Sequence, residues 1–238
     1  MDYDVIIIGA GPGGIFAAYE LMQKKPELKV SVFEAGHALH KRHCPIDGEK
    51  IKTCIGCKSC SIMSGFGGAG AFSDGKYNIT NDFGGTLYEY IGKKQALDLM
   101  HYVDEINMRY GGDGCKLYTT AGTRFKTLCI QNDLHLLDAS VRHLGTDINY
   151  VVLENIYAYL QDKVAFFFDT PVDTVKIIPG GYEVKTKNGA SAMPWKLSKT
   201  PLPRKSDKII PKGCIRFGMQ PSLCPGIIHP RVFSASEW

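Results

Sequence analysis

Tyr3 to Ile8 (YDVIII) is β-branched, uncharged after Asp4 and shows no alternation, a pattern that predicts a parallel strand buried on both faces. Glycines follow at once. Beyond them Ile15, Ala18, Leu21 and Met22 recur on one face of a helix that Pro12 suits at its first turn and that Lys24, Lys25 and Pro26 end. Lys29 to Glu34 (KVSVFE) predicts a second strand, which completes a β-α-β unit. Residues 36–86 lack long periodic runs and are rich in Gly and Cys, the mark of a loop that carries function. Helical spacing returns over 93–109 (Ala96, Leu97, Met100, Val103, Ile106) and over 148–161 (Ile148, Val151, Val152, Ile156, Leu160). Residues 115–145, between them, read as short strands with another helix. Strands are expected at 164–168, 170–178 and 182–186, turning at Gly180-Gly181 and closing at Asn188-Gly189 as a small β-meander. Residues 190–238 hold seven of the twelve prolines and show neither period, so an irregular tail is expected there.

At 238 residues the chain is long enough for one to two domains, and 44% hydrophobic with 22% charged residues is ordinary globular composition. The net charge of +4 misleads as a whole-chain figure. Eight Lys and Arg against two Asp and Glu lie within 190–238, so the main body is close to neutral and has no basic stripe for nucleic acid. The apolar run at 5–18 fails as a signal peptide, because Asp2 and Asp4 stand where basic residues belong and five Gly and Pro residues interrupt it. No stretch reaches the about eighteen apolar residues that span a bilayer. A cytoplasmic protein without a membrane segment is the expectation, with its eight cysteines as thiols or ligands.

Gly9-Ala10-Gly11-Pro12-Gly13-Gly14 fits G-x-G-x-x-G, and its setting makes the match specific. It follows a buried strand, opens a helix and is succeeded by Glu34 at the tip of the next strand. Gly9 permits the tight turn, Gly11 lets a pyrophosphate approach the backbone, and Gly14 lets helix and strand pack closely. The helix N-terminus receives the phosphates. Glu34 would accept hydrogen bonds from ribose hydroxyls and repel a 2′-phosphate; this disfavours NADP and leaves FAD and NAD open. A second match, Gly65 to Gly70, lacks both the strand before and the helix after, and reads as a Gly-rich loop that lets something flat or large come close.

Cys44, Cys54, Cys57 and Cys60 are spaced C-x9-C-x2-C-x2-C, with Pro45 after the first. The run resembles three-ligand iron–sulfur spacing with a fourth thiolate nearby. Zinc, a redox dithiol beside a flavin and plain packed thiols are the other readings. The scattered Cys115, Cys129, Cys214 and Cys224 add nothing. No catalytic triad or carboxylate dyad emerges, and His37, His40 and His43 read as solvent-facing.

Lys41-Arg42-His43-Cys44-Pro45-Ile46, the cysteine run and SIMSGFGGAGAFSDGKYNIT at 61–80 together resemble an uncharacterised group of prokaryotic FAD-dependent dehydrogenases within the glutathione-reductase-like superfamily. The resemblance covers about residues 1–189. It implies an α/β, Rossmann-like three-layer FAD-binding domain (1–90 and 163–189), an inserted α+β substrate-side region (91–162) and an irregular tail (190–238). Gly9, Gly11, Pro12, Gly13 and Gly14 would then surround the pyrophosphate, Glu34 would hold the adenosine ribose, and Arg42 would lie over the phosphates or ribose. Gly67, Gly68 and Ser73 would pass the ribityl chain and flavin ring, while the Val172 backbone reads adenine. A flavin oxidoreductase acting on a small-molecule substrate or electron acceptor follows, with NADH a candidate partner; no acid or base is assigned.

After residue 189 the superfamily has an apolar strand ending in an Ala-x-Gly motif, and here ASAMPWKLSKTPLPRKSDKIIPKGC stands instead. The expectation is a truncated chain whose residues near 190–238 arise from a shifted reading frame or a spurious end, with an exposed apolar sheet edge and weakened FAD binding. An inactive remnant and a metal or iron–sulfur protein on the four clustered cysteines are the competing readings.

Overall fold

A computed structural model describes residues 3–178, 181–187, 193–194 and 214–216. The β-branched opening forms strand β1 (Val5–Ile8), the glycine turn runs into helix α1 (Pro12–Lys24), and the chain returns as β2 (Val30–Phe33). Then come β3 (Lys76–Ile79), the short α2 (Leu87–Ile91) and α3 (Lys93–Asn107). β4 (Leu117–Thr119), α4 (Phe125–Gln131) and β5 (Ser140–His143) precede the long α5 (Gly145–Leu160). β6 (Val164–Phe167), β7 (Val172–Ile178), β8 (Gly181–Thr186), β9 (Met193–Pro194) and β10 (Cys214–Arg216) follow.

The described residues divide into two compact units, one built from residues up to Ala71 and from Ile156 on, the other from Phe72–Asn155. The second unit therefore begins before the inserted region expected from residue 91 and ends before 162.

In the first unit β10, β1, β2 and β6 form a parallel sheet in that order. α1 covers one face with Ile15, Ala18, Leu21 and Met22, all buried along with Ile7, Val30 and Val32 of the strands. On the other face Ile6 and Phe33 pack with Val184 of the antiparallel β7-β8-β9 sheet, joined by Tyr3, Ile8, Phe167 and Val172. Three layers result, in agreement with the α/β reading.

Two expectations need correcting. Val164–Phe167 does not belong to the meander: it pairs in parallel with β2, Val30 to Val164 and Phe33 to Phe167. The reason is that its side chains are apolar on both faces. Phe167 stacks on Phe33 at 4.8 Å, while Phe166 packs with Phe66 and Tyr157, so this edge strand of the parallel sheet has apolar partners on both faces. Nor is the tail wholly irregular, because Met193–Pro194 pairs with β8 and Cys214–Arg216 pairs in parallel with β1. Unpaired N–H and C=O groups along β1 favour any extended segment able to reach them, so the edge expected to be bare is covered. Gly180 and the Asn188-Gly189 close of the meander lie outside the described residues, as does most of 190–238.

The second unit is built on the antiparallel sheet β3-β5-β4. Arg142 of β5 grips Asp104 of α3 through two bonds, Nε to Oδ1 at 2.6 Å and an Nη to Oδ2 at 2.8 Å, and also donates to the Cys115 carbonyl. Beside this pair the Tyr77 hydroxyl donates to Asn149 Oδ1 at 2.7 Å. Burial raises the Tyr77 phenol above its usual pKa, and the Asp104 charge adds to the rise. An apolar cleft of about 220 Å³ lies between β3 and the α2–α3 pair, lined by Ile79, Leu87, Leu99, Met100 and Val103 as well as by Tyr77 and Asp104. No helix of the described residues is long and apolar enough to cross a membrane.

Two outcomes are expected. Ile7→Ala, at a fully buried site, should cost about 2–5 kcal/mol in urea unfolding. Tyr77 should ionise above the usual tyrosine pKa when phenolate absorbance is followed with pH, and Asp104→Asn should bring that ionisation to lower pH. Because the folded pKa is raised, its contribution to stability is complete below pH about 10 and is lost as pH climbs through the folded value.

Candidate functional site

The glycine turn leaves the C-terminal end of β1 and delivers helix α1 with Gly11 as its N-cap, where no side chain caps the first turn. Gly9 takes a φ of 101°, a left-handed conformation that suits glycine and creates the sharp bend. A Cβ on Gly14 would sit 1.9 Å from the Gly9 carbonyl oxygen and 3.2 Å from Ile7, so helix and strand approach as closely as backbone allows. Gly11 is the opposite case. Its φ of −72° suits any residue, and a Cβ there would meet nothing of the described residues within 4 Å.

Glu34 stands at the tip of β2 and is 7% exposed. Its Oε2 accepts the Ala10 amide of the glycine turn at 2.7 Å, while Oε1 accepts the amides of Gly36 at 2.8 Å and Gly65 at 3.0 Å. The carboxylate thus joins the turn, the end of its own strand and the Gly65 loop. A carboxylate has about four acceptor sites, so three amide bonds leave capacity for one hydroxyl. Sequence reasoning assigned Glu34 a ligand and did not foresee this bracing role.

The Gly65–Gly70 segment crosses the turn on bare backbone. The Gly67 amide donates to the Ala10 carbonyl at 2.8 Å, and a Cβ on Gly68 would lie 3.3 Å from Gly11 Cα and 3.4 Å from Pro12 Cδ. A Cβ on Gly36 would lie 2.5 Å from the Gly65 nitrogen, a contact for which the only sequence signal is a glycine two places after Glu34. Phe66 anchors the segment from below, fully buried among Tyr157, Phe166 and Phe168.

Arg42, 3% exposed, is turned inward rather than toward a ligand. Its Nε donates to the Ser61 carbonyl, one Nη to those of Phe66 and Gly68 and the other to that of Ile62, at 2.7–2.8 Å. Burial pulls its pKa below the usual arginine range, and the negative charge of Glu34 opposes that pull. The resemblance implies a phosphate or ribose contact for this side chain, whose N–H groups donate here to backbone carbonyls.

Val172 starts β7 opposite Thr186, beside a bulge that separates it from Thr174. The segment before it runs along Glu34, with the Thr170 amide donating to the Glu34 carbonyl at 2.9 Å and the Asp169 amide to that of Gly36 at 3.0 Å. Asp169 also meets His37 Nδ1 at 2.5 Å. The structure therefore brings Gly9, Gly11, Pro12, Gly13, Gly14, Glu34, Gly67, Gly68 and the approach to Val172 into one region of the first unit. Ser73 belongs to the second unit, where it is exposed and its carbonyl accepts a bond from the Thr146 hydroxyl.

The clustered cysteines do not converge. Cys44, Cys54 and Cys57 are exposed and Cys60 half-buried, and among the described residues no group of three or more His, Cys, Asp or Glu is placed to share a metal ion. Asp47 shapes the intervening loop instead: its Oδ1 accepts the amides of Glu49, Lys50 and Ile51, and these bonds hold its carboxyl below the usual range.

A parallel sheet entered through this glycine turn, with an acidic residue at the tip of the second strand, makes the first unit a Rossmann-like α/β fold. Residues 1–40 match the Thi4 family. Over 35 residues the chain is 57% identical to a thiamine thiazole synthase of Phaeosphaeria nodorum, a stretch that is 15% of this chain and 11% of that protein. Among solved structures it is similar to glycine oxidase from Geobacillus kaustophilus (16% identity, TM-score 0.43, 79% of this chain and 52% of that one). It is also similar to FAD-bound L-α-glycerophosphate oxidase from Mycoplasma pneumoniae (18% identity, TM-score 0.43, 82% and 52%). The chain spans about half of each of these two oxidases.

The two glycines of the turn should separate in a stability measurement. Gly14→Ala drives a methyl into backbone and should cost about 3 kcal/mol or more. Gly11→Ala should leave denaturant unfolding within about 1 kcal/mol of the parent.

Proposed function

We propose that the first unit binds FAD and that the chain is part of a flavin-dependent oxidoreductase of the dehydrogenase kind. The observation that carries this reading is the space beside Gly11. Its backbone conformation needs no glycine, no atom of the described residues lies within 4 Å of where its Cβ would be, and among them no side chain caps the helix it begins. Such a position is useful as glycine when a ligand must come close to the backbone. A dinucleotide pyrophosphate suits it, because amides at a helix start and the positive end of the helix dipole stabilise an anion.

In this reading the amides of Gly11, Gly13 and Gly14 hold the pyrophosphate, with Pro12 shaping the first turn. Glu34 uses its remaining acceptor capacity for an adenosine ribose hydroxyl, and the Val172 backbone borders the adenine. Gly67 and Gly68 form a side-chain-free wall for the ribityl chain. Bound FAD supplies two-electron exchange with a small-molecule substrate or acceptor, for which NADH is a candidate. The 1–40 match to the Thi4 family covers the strand–turn–helix–strand element alone, so it supports dinucleotide binding and says nothing of the chemistry beyond it.

The purified protein, alone or after incubation with FAD, should show a bound-flavin visible spectrum. Gly11→Ala should weaken FAD binding at least about tenfold, about 1.4 kcal/mol, while retaining parental stability. A colourless protein that FAD cannot reconstitute, or a Gly11→Ala variant that binds FAD as the parent does, would overturn the reading.

A further inference from the structure

We propose that Arg42 is a positioning residue: it acts on the cofactor site through the 61–68 loop, which it fastens over the glycine turn, and not by contact with phosphate. The proposal rests on the FAD reading for its functional consequence and on geometry alone for the clasp.

One guanidinium gathers four carbonyl oxygens, those of Ser61, Ile62, Phe66 and Gly68, at 2.7–2.8 Å. The same loop is tied by its amides on the other side. Gly65 donates to Glu34 Oε1, Phe66 to the His37 carbonyl, Gly67 to the Ala10 carbonyl and Gly68 to the Gly65 carbonyl, at 2.8–3.0 Å. A buried cation thus holds the loop's carbonyls and a buried anion one of its amides, the two charges lying close enough that Glu34 affects the Arg42 equilibrium. Contact is close throughout: a Cβ on Gly65 would fall 2.7 Å from Arg42 Cδ. Since Gly67 and Gly68 press on Ala10, Gly11 and Pro12, the clasp sets one wall of the crevice in front of the helix start.

Lysine separates clasp from charge. It keeps the positive charge, but its compact ammonium lacks the planar fork that reaches several carbonyls in fixed directions. If Arg42 served phosphate directly, Arg42→Lys would preserve much of the affinity and Arg42→Met would lose it. A clasp predicts that the two variants fail alike.

The test uses hydrogen exchange of the full chain without cofactor, followed by FAD titration. In Arg42→Lys and Arg42→Met the amides of residues 65–68 should exchange at least about tenfold faster than in the parent, with β1 and β2 still protected. FAD affinity should drop at least about tenfold in both. Parental exchange in the 65–68 amides of Arg42→Lys, or FAD affinity lost only in Arg42→Met, overturns the proposal. Should Arg42 variants not fold, the Arg42 Nε–H of the parent is followed by NMR instead. Slow exchange is expected of a guanidinium held by carbonyls, and an Nε–H that exchanges as fast as that of an exposed arginine rejects the clasp. Absence of FAD binding by the parent would reject the functional reading, while the cofactor-free exchange would still decide the clasp.

Discussion

A carboxylate with three backbone amides organises the first unit. Burying the Glu34 charge is costly unless its oxygens are satisfied, and the amides of Ala10, Gly36 and Gly65 meet that need from three separate segments. The bonds fix the exit from β1, the exit from β2 and the following loop relative to one another. The orientation of the first helical turn, and so of any anion placed before it, follows from this single side chain.

Six of the chain's 26 glycines gain a purpose in the same region. Gly14 lies on Gly9, Gly36 on Gly65 and Gly68 beside Gly11, each at a separation that leaves little or no room for a methyl group. Backbone packed directly on backbone makes a thin floor with its amides close to the surface. Phe66, sunk among Tyr157, Phe166 and Phe168, supplies the apolar attachment that the glycines lack.

Local pattern made β1, α1, β2 and the acidic tip readable, because strand burial, glycine spacing and the distance to Glu34 are all short-range signals. The helices at Lys93–Asn107 and Gly145–Leu160 were readable for the same reason, through spacings such as Val152, Ile156 and Leu160. Pairing partners were not. VAFF looks the same as a meander strand or as a strand of the parallel sheet until Phe33 and Phe66 lie on its two sides. The surroundings of Arg42 were illegible in another way, since a cation near a phosphate motif suggests a phosphate contact, and nothing in the sequence reveals that carbonyls of residues 61–68 surround it. The cysteine spacing suggested shared ligands, but a loop turned by Asp47 leaves three of the four thiols at the surface.

The place of Cys214–Arg216 beside β1 bears on how the molecule is made. The opening strand obtains its outer neighbour from a segment synthesised far later, so its flank stays open through most of translation. Closure over so long a span is slow compared with hairpin or helix formation. The nascent polypeptide would therefore depend on chaperone shielding, or risk joining its neighbours strand to strand, until that late segment docks.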